Sequence, residues 1–166
     1  MVALHGLAIL FLVAAAAHDL RDRRIDNRIV LAVAGTGMAL AVHAWSMGTG
    51  GLSAAIVPVL VAVAAGLPFV GLFALGLMGG GDVKLIAATS LVAGPAQTAD
   101  FLILTCLMGG LVAGLIWVRG IALGRCAGHS RDTDCQTVPY GVAIAGAGIW
   151  ISLSAIAGAL PAEIAS

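Results

Sequence analysis

Apolar and polar positions fall into long blocks along this chain rather than into short alternations. Residues 2–17 are apolar except for His5, and HDLRDRRIDN (18–27) then gathers charge abruptly. From Ile29 to Gly81 there follow 53 residues without one Asp, Glu, Lys or Arg, relieved only at SMGTGG (46–51). The stretch 85–118 is again apolar, with a break at AGPAQTAD (93–100), and 138–161 is the last such run. A helix needs about 20 apolar residues to cross a bilayer. The pattern predicts six such helices: 1–17, two between 29 and 81, two between 85 and 118, and 138–161. This is an all-α, polytopic membrane bundle, with residues 1–166 forming one integral-membrane domain.

Composition strengthens that reading. The chain is 61% hydrophobic and 10% charged, with a mean hydropathy of +1.10. A soluble domain carries about 25% charged residues to cover its surface, so most of this surface is expected to face lipid. Abundant Gly and Ala suit close helix packing in a membrane. Zero net charge argues against nucleic acid as a partner.

The positions of the charges give sidedness. Basic residues occur only at Arg21–Arg28, at Lys84 and at Arg119–Arg131. Excess Lys and Arg mark cytoplasmic loops, and an even number of spans between the clusters puts all three on that side. Both termini, Asp100 and Glu163 then fall outside. The first apolar run has its arginines after it rather than before it, as a membrane anchor does and a cleaved leader does not.

Two carboxylates stand apart from the rest. Asp82, in LMGGGDVKL (77–85), emerges at the end of the uncharged stretch. Only about 12 residues separate it from Gly94-Pro95, roughly 18 Å of helix against a hydrocarbon core of about 30 Å. Asp82 is therefore expected below the membrane surface, and an ionisable group at that depth is a functional candidate. Asp19 comes as the first apolar run ends, on the same side. Two adjacent carboxylates do not both ionise cheaply and tend to share a proton. The ionised member can take a proton from water while the protonated one polarises a carbonyl. That is aspartic-peptidase chemistry, which demands no metal and no other cofactor. A proton relay in a small transporter could use the same two acids, and a non-catalytic secretion or pilus assembly subunit would need neither.

With Asp19 in D-L-R-D-R-R-I-D-N, Gly79-Gly80-Gly81-Asp82-Val83-Lys84, and V-P-Y-G at 138–141, the sequence resembles the type IV prepilin peptidases. These are GxGD intramembrane aspartic proteases that remove the leader from pilin precursors. The resemblance implies Asp19 and Asp82 as the catalytic pair, with Gly79 and Gly81 in the GxGD element. It makes Lys84, Pro139, Tyr140 and Gly141 supporting or substrate-binding residues. Lys84 would bias Asp82 or anchor a lipid phosphate. The implied partner is a membrane-anchored pilin precursor, cut at the cytoplasmic face of the inner membrane. Where the family reads I-P-N, this chain has Ile25-Asp26-Asn27, a change bearing on the local turn. Larger members carry a cytoplasmic insertion with paired CxxC motifs and methylate the product. Nothing here matches that insertion, so the likeness is to the short, peptidase-only branch of tight-adherence (Flp-type) pilus systems.

The remaining polar residues read more simply. Asp22 and Asp26 lie among arginines and are expected to form surface ion pairs. His18 is a solvated interfacial residue, since neighbours on a helix point about 100° apart and rarely chelate together. His5, His43 and His129 have no ligand spacing. Trp45, Trp117, Trp150 and Tyr140 suit interfacial or packing positions. Cys106, Cys126 and Cys135 form no zinc pattern and read as free thiols, although Cys126 and Cys135 share a loop that could close a bridge.

Overall fold

A computed structural model describes residues 1–22, 25–48, 51–122 and 140–164. Among these residues five helices follow one another: α1 (Val2–Asp22), α2 (Asn27–Ser46), α3 (Ser53–Ala74), α4 (Gly80–Ala122) and α5 (Tyr140–Ile164). Each is long and apolar enough to cross a membrane. The six expected spans are present as five elements because two of them are joined in α4. At Gly94 the backbone takes φ 70° and ψ 173°, which is not helical. Pro95 follows and lacks the N–H that a continuous helix would use. Thr98 bridges the break, its hydroxyl lying 2.7 Å from the Gly94 carbonyl and 3.3 Å from that of Ser90 on the far side, as donor to both. Ile86 before the break and Thr105 after it line the same groove, so the two arms of α4 lie side by side.

The stretch between α3 and α4 shows why its glycines are spaced as they are. Gly76 adopts φ 71°, which side chains other than glycine rarely accept. Its N–H donates to Phe73 at 2.9 Å and that of Leu77 to Leu72 at 3.0 Å. This is a Schellman ending that satisfies the last carbonyls of α3. Helix α4 then starts at Gly80, so the glycines extend it and put Asp82 in its first turn.

The first arm of α4, residues 80–93, is the centre of the molecule. Val83, Leu85, Ile86, Ala88, Leu91 and Val92 are all buried, and Leu85, Ile86, Ala88 and Val92 share one core cluster with Leu12 of α1, Val33 of α2 and Ile144 of α5. At about 1.5 Å per residue this arm is about 21 Å long, shorter than the hydrocarbon core. The outer surface is lined by exposed leucines, among them Leu10, Leu31, Leu60 and Leu107. Such a belt of large apolar side chains is what lipid rather than water would cover.

Candidate functional site

At one end of the bundle the first turns of α2, α4 and α5 gather around the end of α1. Asp82 is the third residue of α4. The backbone N–H of Gly79, just before the helix, donates to the Asp82 carboxylate, while the Asp82 N–H donates to the Gly79 carbonyl at 3.1 Å. An acidic side chain reaching back from this position is half of a capping box, and it suits the positive end of the helix dipole. Gly79 has a steric role as well. A Cβ there would sit 3.0 Å from Asp82 Oδ2.

Asp19 is fixed from much further away in sequence. It is only 6% exposed, one turn short of the end of α1. Its Oδ2 accepts a hydrogen bond from the Val142 backbone N–H at 3.2 Å. Val142 lies in the first turn of α5, whose N–H groups have no partner within the helix. The carboxylate therefore occupies the α5 N-terminus and is stabilised there by the helix dipole. Gly141 makes this possible, since a Cβ on it would lie 2.7 Å from both Asp19 Cγ and Asp19 Oδ2. Only a residue without a side chain lets α5 approach so closely.

The two carboxylates lie within electrostatic reach of each other. Asp82 is partly exposed and Asp19 buried. Two acids separated by more than sixty residues in the chain thus share one end of the bundle, each at the N-terminus of a helix. A water molecule and a peptide carbonyl between them would find one group to take a proton and one to give it.

Ile25 and Asn27, at the start of α2, meet the start of α4. Gly81 packs on Ile25, whose Cβ would be 3.4 Å from an added methyl. Lys84 Nζ donates to Asn27 Oδ1 at 3.2 Å, tying the start of α4 to the start of α2. Neither Ile25 nor Asn27 stood out as a supporting residue in the sequence. Their signal was adjacency to a polar run, which does not reveal what they touch. Asp26 caps α2, accepting from the Arg28 N–H at 3.0 Å, and among the described residues it forms no ion pair. Its φ of −66° is the value to which proline is locked. Asp26 thus gives the helix start by capping what proline gives by ring geometry. An acid just before an apolar run is a readable cap signal. Asp22 pairs with His18 at 3.5 Å, both side chains being well exposed.

Tyr140 opens α5 and is partly buried against the core. Its ring lies beside Gly109, where a Cβ would come within 3.5 Å. Pro139, His129, Cys126 and Cys135 lie outside the described residues, as does any bridge between the two cysteines. Cys106 is an exposed free thiol. Trp150 is 62% exposed in the middle of α5 and faces outward rather than into the packing.

A family model, that of the type IV leader peptidase family, matches residues 6–114. The matched region holds Asp19, the Ile25–Asn27 link and the whole of the first arm of α4. No curated protein gives a significant match, and no solved structure does.

Proposed function

The chain belongs to the type IV leader peptidase family, and from that premise we propose that it is an aspartic endopeptidase with Asp19 and Asp82 as its catalytic pair. The observation that carries this reading is the placing of both acids at one end of the bundle, each held by the first backbone N–H groups of a helix. The substrate is a pilin precursor of the type IV or Flp class, whose basic leader is followed by an apolar helix.

In the proposed reaction one carboxylate is ionised and the other holds a proton. The protonated group donates to the scissile carbonyl oxygen and polarises it. The ionised group takes a proton from water, whose oxygen forms the new bond to the carbonyl carbon. Collapse of the tetrahedral species breaks the carbon–nitrogen bond. A proton passes to the departing amine, and the pair returns to its starting state. Fixed N–H donors at Gly79 and Val142 keep both carboxylates oriented through this cycle, the preorganisation that makes electrostatic catalysis effective.

The charge distribution supports a cytoplasm-facing site in the inner membrane, with both termini on the other side. The apolar helix of the substrate would remain in lipid and its basic leader in the cytoplasm, bringing the cut to the depth of the two acids. The test is processing of a co-expressed pilin precursor by the wild type and by Asp19→Asn, Asp82→Asn and Asp22→Asn at matched membrane levels. Cleavage should vanish in the first two and persist in the third. Cleavage that survives loss of Asp19 or Asp82 would refute the pairing, and a wild type unable to cut would favour a carrier or an assembly subunit.

A further inference from the structure

A groove of about 460 Å³ opens on the side of the bundle next to the two acids. Its inner wall includes Met78, in the link just before α4, Ile86, one helical turn after Asp82, and Tyr140, which precedes the glycine packed on Asp19. Its outer wall is the second arm of α4, where Cys106, Gly109, Gly110 and Ala113 follow the spacing of one helix face. Cys106 and Gly110 are exposed, so the groove opens toward the surface that lipid would cover.

Two independent features suggest what fills it. Small residues along one helix face let another helix bring its backbone close, the usual basis of helix pairing in a membrane. Thr105 supplies the second. It lines the groove and is 7% exposed, and its hydroxyl has no hydrogen-bond partner among the described residues. A buried hydroxyl without a partner is unfavourable, and acyl chains offer it nothing. A helix laid along this face can offer a backbone carbonyl or a small polar side chain.

We propose that this groove receives the apolar helix of the membrane-anchored substrate, seated against Cys106, Gly109, Gly110 and Ala113 with Thr105 donating to it. The proposal rests on the peptidase reading and adds the surface that selects the substrate. The reason is where the groove ends: Tyr140 in its wall adjoins Gly141, which packs on Asp19, and Ile86 in its wall is one turn from Asp82. A helix seated there hands the extended segment at its end directly to Asp19 and Asp82. The groove would thus recognise the helix itself, separately from the residues at the cut.

The test uses the full chain in liposomes with two substrates: the membrane-anchored precursor, and a soluble peptide containing the leader and cut site without the apolar helix. Gly110→Leu fills the groove, and among the described residues nothing beyond the adjoining backbone of its own helix lies within 4 Å of the Cβ it would add, so the fold has room for it. The precursor should be cut at least tenfold more slowly, through a higher KM, while the peptide is cut within twofold of the wild-type rate. Independently, Cys106 should form a disulfide with single cysteines placed on one face of the precursor helix. This second experiment uses an Asp82→Asn background with Cys126→Ser and Cys135→Ser. Equal effects of Gly110→Leu on both substrates, with no cross-link at Cys106, would overturn the proposal and leave the groove to lipid. A wild type that cuts neither substrate would instead overturn the peptidase reading, and a cross-link would still report docking of the helix.

Discussion

At the start of α4 the carboxylate belongs to the helix whose first turn it caps. Asp82 reaches back to Gly79, three residues earlier, and the arrangement is complete within one short stretch. At the start of α5 the carboxylate comes from α1, and the N–H it accepts is that of Val142. The two ends look alike chemically, each being an acid on the positive end of a helix. They differ in what must fold first. One is built by local chain geometry, whereas the other exists only when α1 and α5 are packed together. Tolerance to change should differ accordingly, since a flexible carboxylate can swing within its own turn while two packed helices cannot easily separate.

The strongest challenge to that contrast is Gly141→Ala. Its Cβ would overlap the Asp19 carboxylate at 2.7 Å and displace the acid or the helix. Misplacing a reacting group by about 1 Å can cost about a hundredfold in rate. Precursor cleavage should therefore fall about as far as with Asp19→Asn, at normal membrane levels on a blot. Gly79→Ala tests the local end. The added methyl lies 3.0 Å from Asp82 Oδ2, but that oxygen is the tip of a side chain that can rotate. An intermediate loss is expected in the same assay. If Gly79→Ala proved the more damaging of the two, the distinction between local and long-range support would be wrong.

Smaller effects should come from the struts. Lys84→Ala and Asn27→Ala break the same contact, so the double variant should lose little more than either single one. A coupling of up to about 1 kcal/mol is expected for an exposed pair, read from a double-mutant cycle in thermal unfolding. Additive losses would mean the two residues act separately. The least change should follow Asp26→Pro, since φ is already −66° there and the ring would hold it. Asp26→Ala removes the cap without that compensation, at a cost of about 1 kcal/mol. A thermal midpoint lowered more by proline than by alanine would contradict the equivalence.

Much of this was legible in the sequence, residue by residue. Charge gaps and apolar runs located the helices, and SMGTGG marked the turn between α2 and α3. Asp82 stood out because a carboxylate in apolar surroundings is costly and so conspicuous. Gly141 could be noticed only as part of a short motif, because its close approach to Asp19 depends on a helix crossing that no local pattern encodes. The same limit hid Asn27, whose partner is Lys84; the cap at Asp26 was legible locally, as an acid just before an apolar run.

The two arms of α4 show where that limit lies. Both are apolar, and hydropathy treats them as equivalent spans. Yet the first is buried among its neighbours, while the second exposes Ile103, Leu107, Leu111 and Leu115. Sequence by itself determined the helical class, the number of apolar segments, the glycine-governed ends of α3 and α4, and the local cap at Asp82. Each of these follows from side-chain polarity or backbone freedom within a few residues. Only the tertiary structure decided which arm became the core, that Asp19 would meet the start of α5, and that a groove would open beside both acids. Lipid tails are as apolar as the interior of a helix bundle, so hydrophobicity drives a segment into the membrane without choosing its neighbours. That choice falls to shape, close approach at small residues, and the few polar groups that must find partners.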